Sequence, residues 1–312
     1  MPLDPLDPTV VVLLSDKRSG SSLVERELCS HPLVSHVQYT EHSVNETLYW
    51  LKAALLLEAG DAGFSRGRRP TNLGDGAQVR ESLIAGLERN VDGFVPPSDD
   101  RELVFAGWEA LCSHYARPVF FEKSPQHLHN WCALELLLEW LQRTAFRVRV
   151  IGLVRNPMAV LYSAEQQFGT PAGDRQYSWL QAYENLERFR AALDPARYFS
   201  LVFEDLAASP HARYADLCRF IGIEPMPAMG DTVDAEKVEA WRHDPAFQLR
   251  LDDSVQALAT RFGYTTAQLT HTAGKGDGLI VSARRRLART VTRTRGGIMN
   301  RLRKFRQRHI EK

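Results

Sequence analysis

The sequence predicts an α/β fold in three layers, with a central parallel sheet and helices on both faces. Three observations predict it. Short β-rich runs alternate with long helical patterns along the chain. Two of the runs, VVVLL at 10–14 and VIGLV at 150–154, are continuously apolar, as strands buried on both faces are. The first run also passes straight into a Ser- and Gly-rich turn that opens a helix, SDKRSGSSLVEREL.

The expected strands are Val10 to Leu14, Val119 to Phe121, Val148 to Val154 and Tyr198 to Phe203. Between and after them, WCALELLLEWLQR and YSWLQAYENLERFRAAL space their apolar residues as amphipathic helices do. There is no internal repeat. The segment AGFSRGRRPTNLGDGAQ, residues 62–78, is rich in Gly and Arg and reads as a substrate loop or lid. At 312 residues and 44% hydrophobic content, the chain can bury a full core. We expect one domain over residues 1–279 and a basic amphipathic helical tail over 280–312.

Charge separates these two parts. From Arg284 to Lys312 there are twelve Lys and Arg against one acidic residue, leaving 27 basic and 37 acidic residues elsewhere. Ile298, Leu302, Phe305 and His309 fall at helical spacing among those arginines, the pattern of a surface-seeking helix. A solvated tail folding onto the acidic body is the expectation, with peripheral membrane contact through the tail as its alternative; nucleic acid is not expected as a partner. The N-terminal MPLDPLDPT has neither the basic nor the apolar region of a signal peptide, and no apolar run approaches the ~20 residues of a membrane span. The four cysteines are scattered without metal-ligand or CxxC spacing, which suits reduced thiols and a cytoplasmic location. His127 and His129 lack a third ligand nearby, so no metal is expected.

The turn after the first strand keeps the frame of a phosphate-binding loop without its lysine. Laid on G-x-x-x-x-G-K-[ST], Ser15 takes the first Gly, Gly20 the second, Ser21 the Lys and Ser22 the Ser/Thr. That lysine serves the β- and γ-phosphates, so its absence argues for a ligand held by its 5′-phosphate. Backbone N–H groups around Gly20, the hydroxyls of Ser19, Ser21 and Ser22, the following helix N-terminus, and the cations Lys17 and Arg18 all suit one phosphate. A second constellation is VRNPMAVLYS. Arg155 follows a strand, Pro157 suits the first helical position, and Ser163 lies eight residues beyond Arg155, so the two can serve a second phosphate.

Several blocks, in order, make the chain resemble the sulfotransferases that use 3′-phosphoadenosine-5′-phosphosulfate. KRSGSSL resembles their 5′-phosphosulfate loop, and RNPMAVLYS their 3′-phosphate site. FEKSPQHL looks like their E-K-[ST]-P block, LVFEDLAASPHARYADLCRFIGIEP resembles a strand, turn and helix of their C-terminal half, and EKVEAWRHDPAFQLRL is similar to a basic-Trp segment. The resemblance spans roughly residues 9–264. It is nearer to bacterial carbohydrate- and lipid-modifying types and to tyrosylprotein sulfotransferases than to the phenol and steroid enzymes, whose loop carries Lys in place of Arg18.

The resemblance implies a P-loop NTPase-like sandwich, 3′-phosphoadenosine-5′-phosphosulfate as co-substrate without metal, and transfer of a sulfuryl group to a hydroxyl on a carbohydrate, a lipid such as a glycolipid, or another small metabolite. It implies Arg18 and Lys123 as stabilisers of the leaving charge. For the base it points to a Glu after the H-P turn, here Glu41 after His31-Pro32, with His42 and His127 as alternates. Glu41 equally suits a helix N-terminal carboxylate. Two other functions share the expected fold. A P-loop nucleotide kinase needs a lysine at position 21 or an equivalent, and a non-catalytic nucleotide-binding protein recruited to membranes would act through its tail.

Overall fold

The computed structural model describes residues 7–41, 45–234 and 238–271. The basic tail, the boundary near residue 280 and His42 lie outside the described residues.

Five parallel strands, β1 (Thr9–Ser15), β2 (Val34–Ser35), β3 (Val119–Lys123), β4 (Arg147–Val154) and β5 (Tyr198–Val202), form a single sheet in the order β2-β3-β1-β4-β5. The four expected strands are all present. The addition, β2, is two residues long and sits at an edge, too short to show a period in sequence. β1 is central, pairing with β3 through Thr9↔Val119 and with β4 through Thr9↔Arg147.

Side-chain alternation divides the core in two. On one face Val10, Val12 and Leu14 of β1 join Val148, Val150 and Val154 of β4. They pack against helices that include α2 (Tyr49–Leu56), α3 (Gly76–Asn90), α4 (Asp100–Tyr115), α5 (Trp131–Arg143), α6 (Pro157–Phe168), α7 (Ala172–Ala191) and α10 (Asp253–Arg261). Trp50, Trp108 and Trp140 lie at the centre of this half, with ring centroids 5.2 to 6.2 Å apart. On the other face Val11, Leu13, Ile151 and Leu153 meet α1 (Ser21–Cys29), α8 (Phe203–Ala208) and α9 (Pro210–Ile221). A short helix, α11 (Thr266–Leu269), follows α10.

The order has a functional consequence. After β1 the chain goes to one side for β2 and β3 and then to the other for β4 and β5, so the turns at the carboxyl ends of β1, β3 and β4 lie side by side at the switch point, where open α/β sheets hold ligands.

Candidate active site

The loop after β1 is shaped by two left-handed residues, Arg18 at φ 70° and Gly20 at φ 97°. A Cβ on Gly20 would stand 2.2 Å from the Phe203 ring, so both backbone and space demand glycine here. α1 begins at Ser21 with no side-chain cap. Its first N–H groups therefore meet an incoming anion without competition from a cap. Ser22 is exposed and Ser21 buried. Ser19 is fully buried, its hydroxyl 2.9 Å from that of Tyr183, which donates to the Leu153 carbonyl. Ser19 thereby anchors the loop to α7.

Asp16, where β1 ends, has no solvent exposure. It accepts from the Lys17 N–H at 2.6 Å and from Arg175 at 2.5 Å, and His129 Nε2 lies 2.7 Å away. Burial alone raises its pKa, but His129 and Arg175 together outweigh burial and hold the carboxyl below its ordinary value.

The second phosphate segment closes on the first. Asn156 caps α6 by accepting from the Met158 N–H, with Pro157 in the first turn. Arg18 Nε donates to Ser163 Oγ at 3.0 Å, and Arg155 donates to the Arg18 carbonyl at 3.0 Å while its guanidinium covers the Phe203 ring. Three residues singled out in sequence, 145 positions apart at the extremes, are thus joined. Burial lowers the Arg155 pKa, Glu204 raises it, and the Arg18 charge lowers it again. Such a pair of cations is stabilised by an anion between them.

Lys123 lies at the carboxyl edge of β3 as expected, but its side chain is wholly buried between two carboxylates, Glu25 at 3.1 Å and Glu46 at 3.5 Å. Glu25, from α1, is raised by burial against the pull of Lys123. Glu46 was not singled out in sequence. It stands five residues beyond Glu41 in TEHSVNE, and only folding shows which of the two faces the loop. Glu41 instead bonds Lys52 at 3.0 Å and the Ser82 hydroxyl, beside a small cavity of about 40 Å³ near α3. His127 is fully buried 3.9 Å from Glu122, and burial pushes its pKa down to about 4 despite the raising effect of Glu46. A base that weak is a poor match to neutral pH. Lys17 borders a separate cavity with residues of the 62–78 loop, which forms short helical turns at Asp61–Gly63, Ser65–Gly67 and Thr71–Leu73. Among the described residues no group of three or more His, Cys, Asp or Glu is placed to hold a metal.

Comparisons with known proteins agree with the fold. The family model described as "Sulfotransferase family" matches residues 10–227. Human carbohydrate sulfotransferase 6 is 27% identical over 75% of the chain and 67% of its own length. Among solved structures, the sulfotransferase domain of the Synechococcus PCC 7002 olefin synthase superposes with a TM-score of 0.50 at 18% identity, covering 85% of this chain and 98% of that one. The sulfotransferase domain from the curacin biosynthetic pathway gives 0.50 and 18%, covering 83% and 99%.

Proposed function

The chain belongs to the sulfotransferase family, and from that premise we propose that it transfers a sulfuryl group from 3′-phosphoadenosine-5′-phosphosulfate to a hydroxyl of a carbohydrate or carbohydrate-bearing acceptor. The joining of Arg18, Arg155 and Ser163 beside the uncapped start of α1 carries this reading. The residues fit the co-substrate. The α1 N-terminus and the turn at Gly20 suit a 5′-phosphate, and Arg155 with Ser163 suits a 3′-phosphate. Neither role needs a metal or the lysine of a triphosphate loop.

The co-substrate supplies an activated sulfur whose bond to a bridging phosphate oxygen breaks as the acceptor oxygen bonds to sulfur. Glu46 takes the hydroxyl proton, Lys123 holds that carboxylate and is itself held by Glu25, and Arg18 stabilises the charge left on the phosphate. Glu41, bound to Lys52 and Ser82, serves as a structural carboxylate in this scheme. The human relative carries the name of a carbohydrate enzyme, and that supports the acceptor class. A location at the cytoplasmic face of a membrane, reached through the basic tail, belongs to the same proposal and is tested by flotation of the full chain and a 1–279 truncation with anionic vesicles.

The donor assignment is tested by binding. The protein should hold 3′,5′-bisphosphoadenosine much more tightly than 5′-AMP, and Arg155→Ala should shrink that preference by roughly 1.5–3 kcal/mol, the scale of a charge-assisted contact. Equal affinities in the parent chain end the assignment, and transfer of label from the phosphosulfate donor into a native extract identifies the acceptor.

A further inference from the structure

Beside Lys17 lies an open cavity of about 330 Å³. Its basic lining is Lys17, Arg66, Arg68 and Arg175 together with His129, and no Asp or Glu among the described residues lines it. Asp16 touches the cavity from below through Arg175 and His129. Four Lys and Arg side chains against that carboxylate, and against Glu46 acting on Lys17, leave positive charge in excess.

The two loop arginines are the informative ones. Their neighbour Arg69 is committed, bonding Asp61 at 3.0 Å and the Ala59 carbonyl at 2.8 Å. The exposed guanidinium groups of Arg66 and Arg68 have no hydrogen-bond or ion-pair partner among the described residues. Arg66 also adopts a left-handed backbone, φ 59°, unusual for a side chain of its size. A concave surface with an excess of like charges concentrates anions. Lys17, which lines this cavity, interacts electrostatically both with Arg175 in it and with Glu46 beside Lys123, the base assigned above.

We propose that this cavity receives an anionic group of the acceptor, so that the molecule being sulfated is itself acidic. A carboxylate, phosphate or sulfate on it sits among Lys17, Arg66, Arg68 and Arg175 while its hydroxyl reaches Glu46. The proposal rests on the sulfotransferase assignment and narrows it to acidic substrates.

The test is calorimetric titration of the chain saturated with 3′,5′-bisphosphoadenosine, using inorganic sulfate, inorganic phosphate, glucuronate and, as a neutral control, glucose. At least one anion should bind where glucose does not, and the tightest names the chemical group. Arg66→Ala combined with Arg68→Ala should weaken that anion tenfold or more and leave nucleotide affinity unchanged; both side chains are exposed, so the fold is spared. No anion binding, equal glucose binding, or anion binding untouched by the double substitution overturns the proposal. The last result would place the anion at the sulfuryl position of the donor site. Failure of the bisphosphate itself to bind counts against the donor assignment, and the anion titration is then read on the free chain with the same criteria.

Discussion

Glu46→Gln is expected to lower turnover by about 10²–10⁴, the scale of a positioned general base, with little change in affinity for 3′,5′-bisphosphoadenosine. The amide keeps the shape and loses the proton acceptor. Glu41→Gln, by contrast, should act mainly on stability, since its carboxylate binds Lys52 and Ser82. Sulfuryl transfer to an acceptor identified from extract, measured for both variants, separates them. A Glu41 variant that loses turnover while Glu46→Gln keeps it would reverse the assignment.

Lys123→Met should cost about 3–5 kcal/mol of folding stability, because removing the ammonium strands two carboxylates that are almost as buried as it is. The loss should depend on pH, and its sign follows from Glu25. Its folded pKa is already raised above the ordinary 4.5 by burial, so its contribution to stability is fullest below that value and is lost as pH rises through the folded pKa. Without Lys123 that loss deepens. The variant's deficit in urea denaturation should therefore be larger at pH 8 than at pH 5, and Glu25→Gln added to Lys123→Met should recover part of it. A deficit independent of pH, or none, would mean the ion pairs contribute little.

Much of this was legible in the chain itself. Continuous apolar runs gave β1 and β4 because a strand covered on both faces has no polar side to show. The loop from Lys17 to Ser22 and the pair Arg155 and Ser163 were legible because local backbone chemistry fixes their spacing. The carboxylate partners were not. Glu25 lies on the α1 face turned toward β3, and Glu46 reaches Lys123 from a segment 77 positions away in sequence; pairing over such distances is decided by packing, to which no local pattern is a guide. Asp16, Arg175 and Tyr183 escaped notice for the same reason. Ser19 was expected to offer its hydroxyl to a ligand, and the structure turns that hydroxyl to Tyr183.

Helix α7 places three contacting residues on one stripe. Arg175 holds Asp16, Trp179 donates to the Arg155 carbonyl, and Tyr183 meets Ser19 and Leu153, at successive intervals of four residues. Over about 12 Å the helix works as a ruler for the whole catalytic edge, because each residue advances about 1.5 Å and turns the next side chain by about 100°. Deleting one residue between Arg175 and Tyr183 would put the upstream contact out of phase with the downstream one, so length within this stretch is constrained even where side-chain identity is free. The 62–78 loop is under no such phasing. Variants with altered acceptors can therefore be sought by lengthening or shortening that loop, whereas indels inside α7 should dismantle the donor loop and the basic cavity together.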